Sequence, residues 1–216
     1  WTPYGTVQID TDQYKFGSSS ILFDGDSDYL VAADTRFAFG NNSFTVHGWV
    51  RPTAAANMSI YDTRESGKGQ YGFVVYIDSS KKLKLWTSAA NRITGADDVV
   101  LNDWNHIAIV GNGSNVKLFV NGVLQGTYTA NYNFSNAACY IGRLMDTASY
   151  YFNGHMDEIV TLQGVALWSS NFTPPTAPTS VDDYSMECSS WVDMITVRKY
   201  KKPVPIVGEA EAEISV

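Results

Sequence analysis

The sequence predicts an all-β protein built as an antiparallel sandwich of two sheets. Three observations carry that reading. No stretch of eleven or more residues repeats apolar positions at i, i+3, i+4 and i+7 with a cap at either end, so helical periodicity is nearly absent. Short runs rich in β-branched and aromatic residues recur along the chain, separated by clusters of Gly, Asn, Asp and Ser, at the roughly 8–12-residue spacing of β-sandwiches. Aromatic residues make up 13% and charged residues only 17% of the 216, the balance of a packed core rather than of salt-bridged helices.

Taken in order, residues 18–23 read as a short strand that breaks at Asp24-Gly25-Asp26-Ser27-Asp28, a turn cluster, and 29–31 resume it. The run 44–50 alternates and stops at Arg51-Pro52. It sets Phe44, Val46, Gly48 and Val50 on one face and Thr45, His47, Trp49 and Arg51 on the other. Strands 71–77 and 83–86 flank a polar loop at 78–82, as a hairpin would. The run 104–110 turns at 111–115 into 116–120, and Asn121-Gly122 then supplies the two residues that a type I′ turn needs at positive φ before 123–128 return. Two further strands follow at 138–144 and 152–162. The chain is predicted to close its regular pattern at Pro174, Pro175 and Pro178, because proline cannot continue a ladder. Residues 1–178 therefore form the sandwich domain and 179–216 an extended C-terminal arm. In that arm residues 194–200 read as one strand, which either completes the parent sandwich as a returning edge or docks the module to a neighbour.

Composition excludes several classes. Fifteen Lys and Arg against 22 Asp and Glu give a formal charge of −7, which repels phosphate backbones, so nucleic acid is not an expected partner. The apolar runs, such as 107–110, fall far short of the roughly 20 residues of a membrane span. The chain begins Trp1-Thr2-Pro3-Tyr4 without an initiator Met or an apolar signal core, as a processed chain or a piece of a longer one would. Cys139 and Cys188 are too few for a disulfide framework. Cys139 sits in an apolar run as a buried thiol would, and a bridge between the two stays open.

Six motifs in order carry a resemblance. They are Lys15-Phe16-Gly17 through Asp24-Gly25, Asp28-Tyr29-Leu30, Ser43-Phe44 through Arg51-Pro52, Trp104-Asn105-His106, Val120-Asn121-Gly122, and Phe152-Asn153-Gly154 through Glu158-Ile159. Together they resemble the laminin-G-like jelly-roll domains of the concanavalin A-like lectin and glucanase superfamily, over roughly residues 5–178. The closing segment 164–175 is similar to the versions carried by bacteriophage structural proteins. The resemblance implies two curved antiparallel sheets. His47 departs from it, because many relatives carry an acid there.

Site candidates follow from residue chemistry. The Glu-x-Asp-x-x-Glu strand of the related glucanases is missing. Asp157 and Glu158 are adjacent and alternate to opposite faces, and Glu65 has no partner at even spacing, so no catalytic residue is assigned. No Gly-x-Ser-x-Gly elbow accompanies His47, His106 and His155. Structural calcium is the cofactor an oxygen-rich turn would take, with Asp24 as one ligand, and the resemblance adds Asp157. Sugar binding needs an aromatic face and planar polar groups, which points to Trp49, Tyr71 and Trp86 with Arg64, and Asn91 within reach. The expected function is a non-enzymatic module on a virion surface (tail, fibre or capsid decoration), contacting cell-surface glycans or neighbouring virion proteins and oligomeric within its assembly. The alternative is a carbohydrate-binding module of a secreted bacterial enzyme.

Overall fold

A computed structural model describes residues 1–64 and 71–179, with the backbone of Asp193–Val197. Glu65, Cys188 and the rest of the C-terminal arm lie outside the described residues. Strands are numbered in chain order. One sheet has seven, arranged β1 (Thr2–Tyr4), β4 (Tyr29–Ala33), β13 (Ala138–Ile141), β6 (Met58–Asp62), β7 (Phe73–Ile77), β8 (Lys82–Thr87) and β9 (Ala90–Asp98). The other has eight. Its order is β12 (Val123–Thr129), β11 (Asn115–Val120), β10 (Asn105–Asn112), β5 (Ser43–Pro52), β14 (Asn153–Gln163), β3 (Ser20–Asp24) and β2 (Gln8–Asp10), with β15 (Asp193–Val197) also paired to β14. All the pairings are antiparallel, and the two sheets form a jelly-roll sandwich. The helical content of the described residues is a single 3-10 turn, Thr35–Phe37.

The core lies between the sheets because alternation places one face of every central strand there. In β5, Phe44, Val46 and Val50 enter the core as their spacing predicts. Phe44 stacks on Phe39 (4.4 Å) and Phe73 (5.5 Å) and meets the edge of Phe134 (6.0 Å), so aromatic contacts fill the space between the sheets. The hydroxyls of Tyr61 in β6 and Thr161 in β14 meet at 3.0 Å across the core. At Asn121 (φ 48°) and Gly122 (φ 78°) both turn residues take the left-handed region, as a type I′ hairpin demands.

The outer faces of the two sheets differ, and this places the site. The outer face of the eight-stranded sheet is covered by the chain that follows β14. Val165 and Leu167 pack on Val160 and Leu162, while Trp168 and Phe172 pack on Ala108, Val110 and Phe119. Thr45 is held there by donating to Val165 O (2.9 Å) and accepting from Leu167 N (3.0 Å). His47 and His106 are buried beneath Trp168, and Trp49 beneath Lys15 and Phe16. On the seven-stranded sheet, Tyr29, Val31, Tyr140 and Trp86 alternate with buried Leu30, Ile141 and Leu85 and stand half-exposed on the outer face.

Two features depart from simple alternation. Glu158 has φ 52°, and the β14–β5 register shifts between Asp157 and Val160. This bulge interrupts the alternation that would send Asp157 and Glu158 to opposite faces. Gly48 faces it, where a Cβ would run into Ile159. In the arm, β15 runs antiparallel to Ile159–Gln163 of β14, on the same edge that β3 takes at Asn153–Met156. The returning-edge placement is therefore the one seen for Asp193–Val197.

Candidate functional site

The outer face of the seven-stranded sheet carries a cleft of about 310 Å³, lined by Arg64, Val74, Tyr76, Trp86, Asn91, Leu144 and Tyr150. Register builds it. Asp62 pairs with Val74, Val74 with Trp86 and Trp86 with Asn91, so one row across four strands sends its side chains to one face. Arg64, just past β6, lays its guanidinium over the Trp86 ring, 4.8 Å from the centroid. Its Nη2 donates to Asp62 Oδ2 at 2.6 Å and to Asp146 Oδ1 at 2.9 Å, and Nε donates to Asp62 as well. Burial disfavours the Arg64 charge, but hydrogen bonding and attraction from Asp62, then Asp146, outweigh it and raise the pKa. Arg64 is thereby fixed as a wall of the cleft. Opposite it, the Tyr76 hydroxyl donates to Asn91 Oδ1 (2.9 Å), and the Tyr76 ring lies 5.6 Å from that of Tyr150. Burial pushes the Tyr76 phenol above its usual range. The cleft thus offers one large aromatic face, two tyrosines and an oriented amide.

Of the residues expected from sequence, Arg64 and Trp86 meet here, with Asn91. Trp49 does not join them. It belongs to β5 in the other sheet and points to that sheet's outer face, so the whole core separates it from Trp86. Lys15 Nζ sits 3.8 Å over its ring and Phe16 meets its edge. Tyr71 lies ahead of β7, where its carbonyl accepts from Asn136 N (3.1 Å), and it does not line the cleft. Tyr76 and Tyr150 were missed. Alternation in β7 was the available signal for Tyr76, while Tyr150 (φ 56°) sits in a loop that no periodicity describes.

The aspartates proposed for calcium are not brought together. Asp24 pairs with Asn153, four ladder positions from Asp157, roughly 13 Å along the strand. Asp24 Oδ1 accepts from the amides of Asp26 (2.9 Å), Ser27 (2.9 Å) and Asp28 (3.1 Å), and Oδ2 accepts from the Ser27 hydroxyl (2.8 Å). Burial raises its pKa, but these donors outweigh burial and bring it to about 2. Asp157 Oδ2 accepts from the amides of Lys15 (2.9 Å) and Phe16 (3.0 Å). Amide hydrogens point at the lone pairs of Asp24 Oδ1 and Asp157 Oδ2 that a cation would need, so these two oxygens do not fit a calcium ion. Among the described residues no group of three His, Cys, Asp or Glu side chains is placed to hold a metal. Cys139 is a buried free thiol.

The two facing antiparallel sheets, one covered and one carrying an aromatic cleft, define a protein of the concanavalin A-like sandwich class. The sequence agrees. A laminin-G family model described as the concanavalin A-like lectin/glucanases superfamily matches residues 24–174, and the chain belongs to that superfamily. No curated protein matches the sequence. Among solved structures, domain 4 of the extracellular arabinanase AbnA of Geobacillus stearothermophilus, in complex with arabinotriose, is similar at TM-score 0.58 and 19% identity, over 75% of this chain and 77% of that one. A heptameric SAP-like pentraxin of Limulus polyphemus aligns at TM-score 0.53 and 19% identity, over 70% and 76%. A sialidase of Trypanosoma rangeli aligns at TM-score 0.55 and 16% identity, over 69% of this chain but only 26% of its own. These identities establish a shared fold. No helix among the described residues is long and apolar enough to cross a membrane.

Proposed function

We propose that this chain is a non-enzymatic glycan-binding module that takes a sugar in the Arg64–Trp86 cleft. The single observation that carries the reading is the cleft itself: an indole face beside an oriented amide, on the sheet face left open while the opposite one is covered. Sugars bind by stacking their C–H faces on aromatic rings and by hydrogen bonds to planar polar groups, and Trp86 with Asn91 supplies both. The likeness to an arabinanase domain carrying arabinotriose supports it as an analogy of fold. The non-catalytic reading is supported by Asp62 and Asp146, which are both ion-paired to Arg64, whereas glycosidic hydrolysis needs one carboxyl held protonated beside an ionised partner.

In this proposal the module stands on a virion surface and contacts cell-surface glycans, a setting suggested by the closing segment 164–175. The arabinanase likeness favours the second reading, a module of a secreted bacterial enzyme, which would use the same cleft. The test is a glycan array followed by calorimetric titration of each hit, with Trp86→Ala as the variant. Affinity should fall at least tenfold with the thermal midpoint retained. Binding that survives Trp86→Ala undiminished removes the cleft from the proposal. Immunogold labelling of phage particles separates virion from secreted enzyme.

A further inference from the structure

Beside the cleft, three tyrosine rings stand in a row on the same open face, one from each of β1, β4 and β13. Tyr4 and Tyr29 stack at 4.7 Å with their planes parallel to within 1°, and Tyr29 and Tyr140 lie 6.1 Å apart at 13°. Gly142 follows β13 at φ 91°, a conformation that a side chain would strain, and a Cβ there would press on the Phe23 ring at 2.7 Å. That turn brings Arg143 back over the row, its guanidinium carbon 4.1 Å from the Tyr29 centroid and 5.4 Å from that of Tyr140.

Arg143 is unlike Arg64. Among the described residues it makes no ion pair and no hydrogen bond, and its Nε is buried without an acceptor. A guanidinium packed on aromatic faces still presents its planar fork of N–H donors at the edge, and a carboxylate is the group that matches the fork. The charges around it decide where an acid can go. Asp62 and Asp146 both face Arg64, so an incoming carboxylate is repelled from the Trp86 cleft but answered at Arg143. The two places are continuous: Leu144, next after Arg143, lines the cleft, and Tyr140 pairs with Asp62 across β13 and β6.

We infer that Arg143, on the Tyr29–Tyr140 platform, is the receptor for the carboxylate of an acidic sugar residue, adjoining a neutral residue seated on Trp86. This rests on the proposed glycan-binding cleft and names the substrate class for it: an oligosaccharide with a uronic or sialic acid next to a neutral unit. The protein's net charge of −7 works against anions at long range, so recognition must come from this local contact.

The test compares matched acid and neutral probes by titration: glucuronosyl-xylobiose, one uronic acid on neutral xylose units, against its methyl ester, and sialyllactose against lactose. The wild-type chain should prefer the acid of at least one pair by on the order of tenfold, the two pairs distinguishing uronic from sialic acid. Arg143→Gln should abolish that preference, and Arg143→Lys should restore part of it, with melting curves checking that each variant is folded. Equal affinity for acid and neutral forms overturns the inference while leaving the Trp86 cleft standing. A preference that survives Arg143→Gln overturns it too. Absence of binding to every probe and every array glycan overturns both.

Discussion

Gly122 couples the hairpin after β11 to the segment that covers the eight-stranded sheet, and its replacement by alanine separates backbone strain from overlap. Its φ of 78° is costly for any residue with a Cβ, by roughly 1 kcal/mol for alanine. A Cβ there would also overlap the Phe172 carbonyl oxygen and touch Pro174. The covering segment would have to move. Phe172 N donates to Gly122 O (2.9 Å) and Leu124 N donates to Asn171 Oδ1 (2.9 Å), two bonds each worth about 0.5–1.5 kcal/mol net. The Phe172 ring stacks on Trp168 at 3.9 Å and meets Phe119 at 5.3 Å, so moving it also loosens packing. Gly122→Ala should therefore cost about 2–4 kcal/mol, a fall in melting midpoint of roughly 5–15 °C for a domain of this size. Gly17 is the control, because its φ is 68° and an added Cβ meets nothing within 4 Å. Gly17→Ala should cost strain alone, roughly 1 kcal/mol or a few degrees. Melting by far-UV circular dichroism gives both shifts, and the near-UV signal of the Trp168–Phe172 stack should weaken in Gly122→Ala only. Equal shifts for the two variants would refute the docking of residues 164–175 onto the turn.

Burial holds the pKa of His47 down at about 3, and that of His106 is depressed by burial, then by His47 and Lys15. The unfolded chain takes up these protons below about pH 6.5 and the fold does not, so stability should fall as pH drops from 6.5 toward 3. His47→Gln should flatten that slope by up to about 1.4 kcal/mol per pH unit, and an unchanged slope in acid-dependent urea unfolding counts against the burial argument. For Asp24, whose folded pKa of about 2 lies below its ordinary 3.8, stabilisation is present above about pH 4 and is lost as pH falls through 2; Asp24→Ala should lower the midpoint at neutral pH and lose that acid dependence. Melting curves in calcium and in chelator should coincide, since amides occupy Asp24 Oδ1 and Asp157 Oδ2 and the two side chains lie apart, and a midpoint raised by calcium would show a bound metal. Truncation after Pro178 removes the β15 ladder and the Thr179 N bond to Glu158 Oε2 (2.9 Å); the product should stay folded with a lower midpoint, and outright unfolding would make the arm part of the core.

Much of the architecture was legible in local chemistry. Alternation placed Phe44, Val46 and Val50 in the core, and Asn121-Gly122 declared its turn, because strand period and positive φ are properties of a few consecutive residues. The short strands β1, β2 and β6 and the nine-residue β9 were not predicted. Thr2–Tyr4 and Gln8–Asp10 owe their strand character to the partners they pair with, and a bulge in β6 between Ser59 and Tyr61 breaks its period. The Asp157–Glu158 bulge escaped for the same reason, since it answers to Gly48 across the ladder. The candidate site divides along the same line. Sequence alone supplied its chemistry, a tryptophan, an arginine and an amide, but could not say which strands share a sheet, and so it grouped Trp49 with Trp86. Which aromatic stays open was decided by tertiary structure, where residues 165–172, together with Lys15 and Phe16 over Trp49, cover one outer face and leave the face that holds Trp86, Tyr29 and Tyr140. The pairing of Arg64 with two aspartates and the isolation of Arg143 are likewise invisible in the chain. Ion pairing depends on distances between residues far apart in sequence, and only the closed fold fixes those.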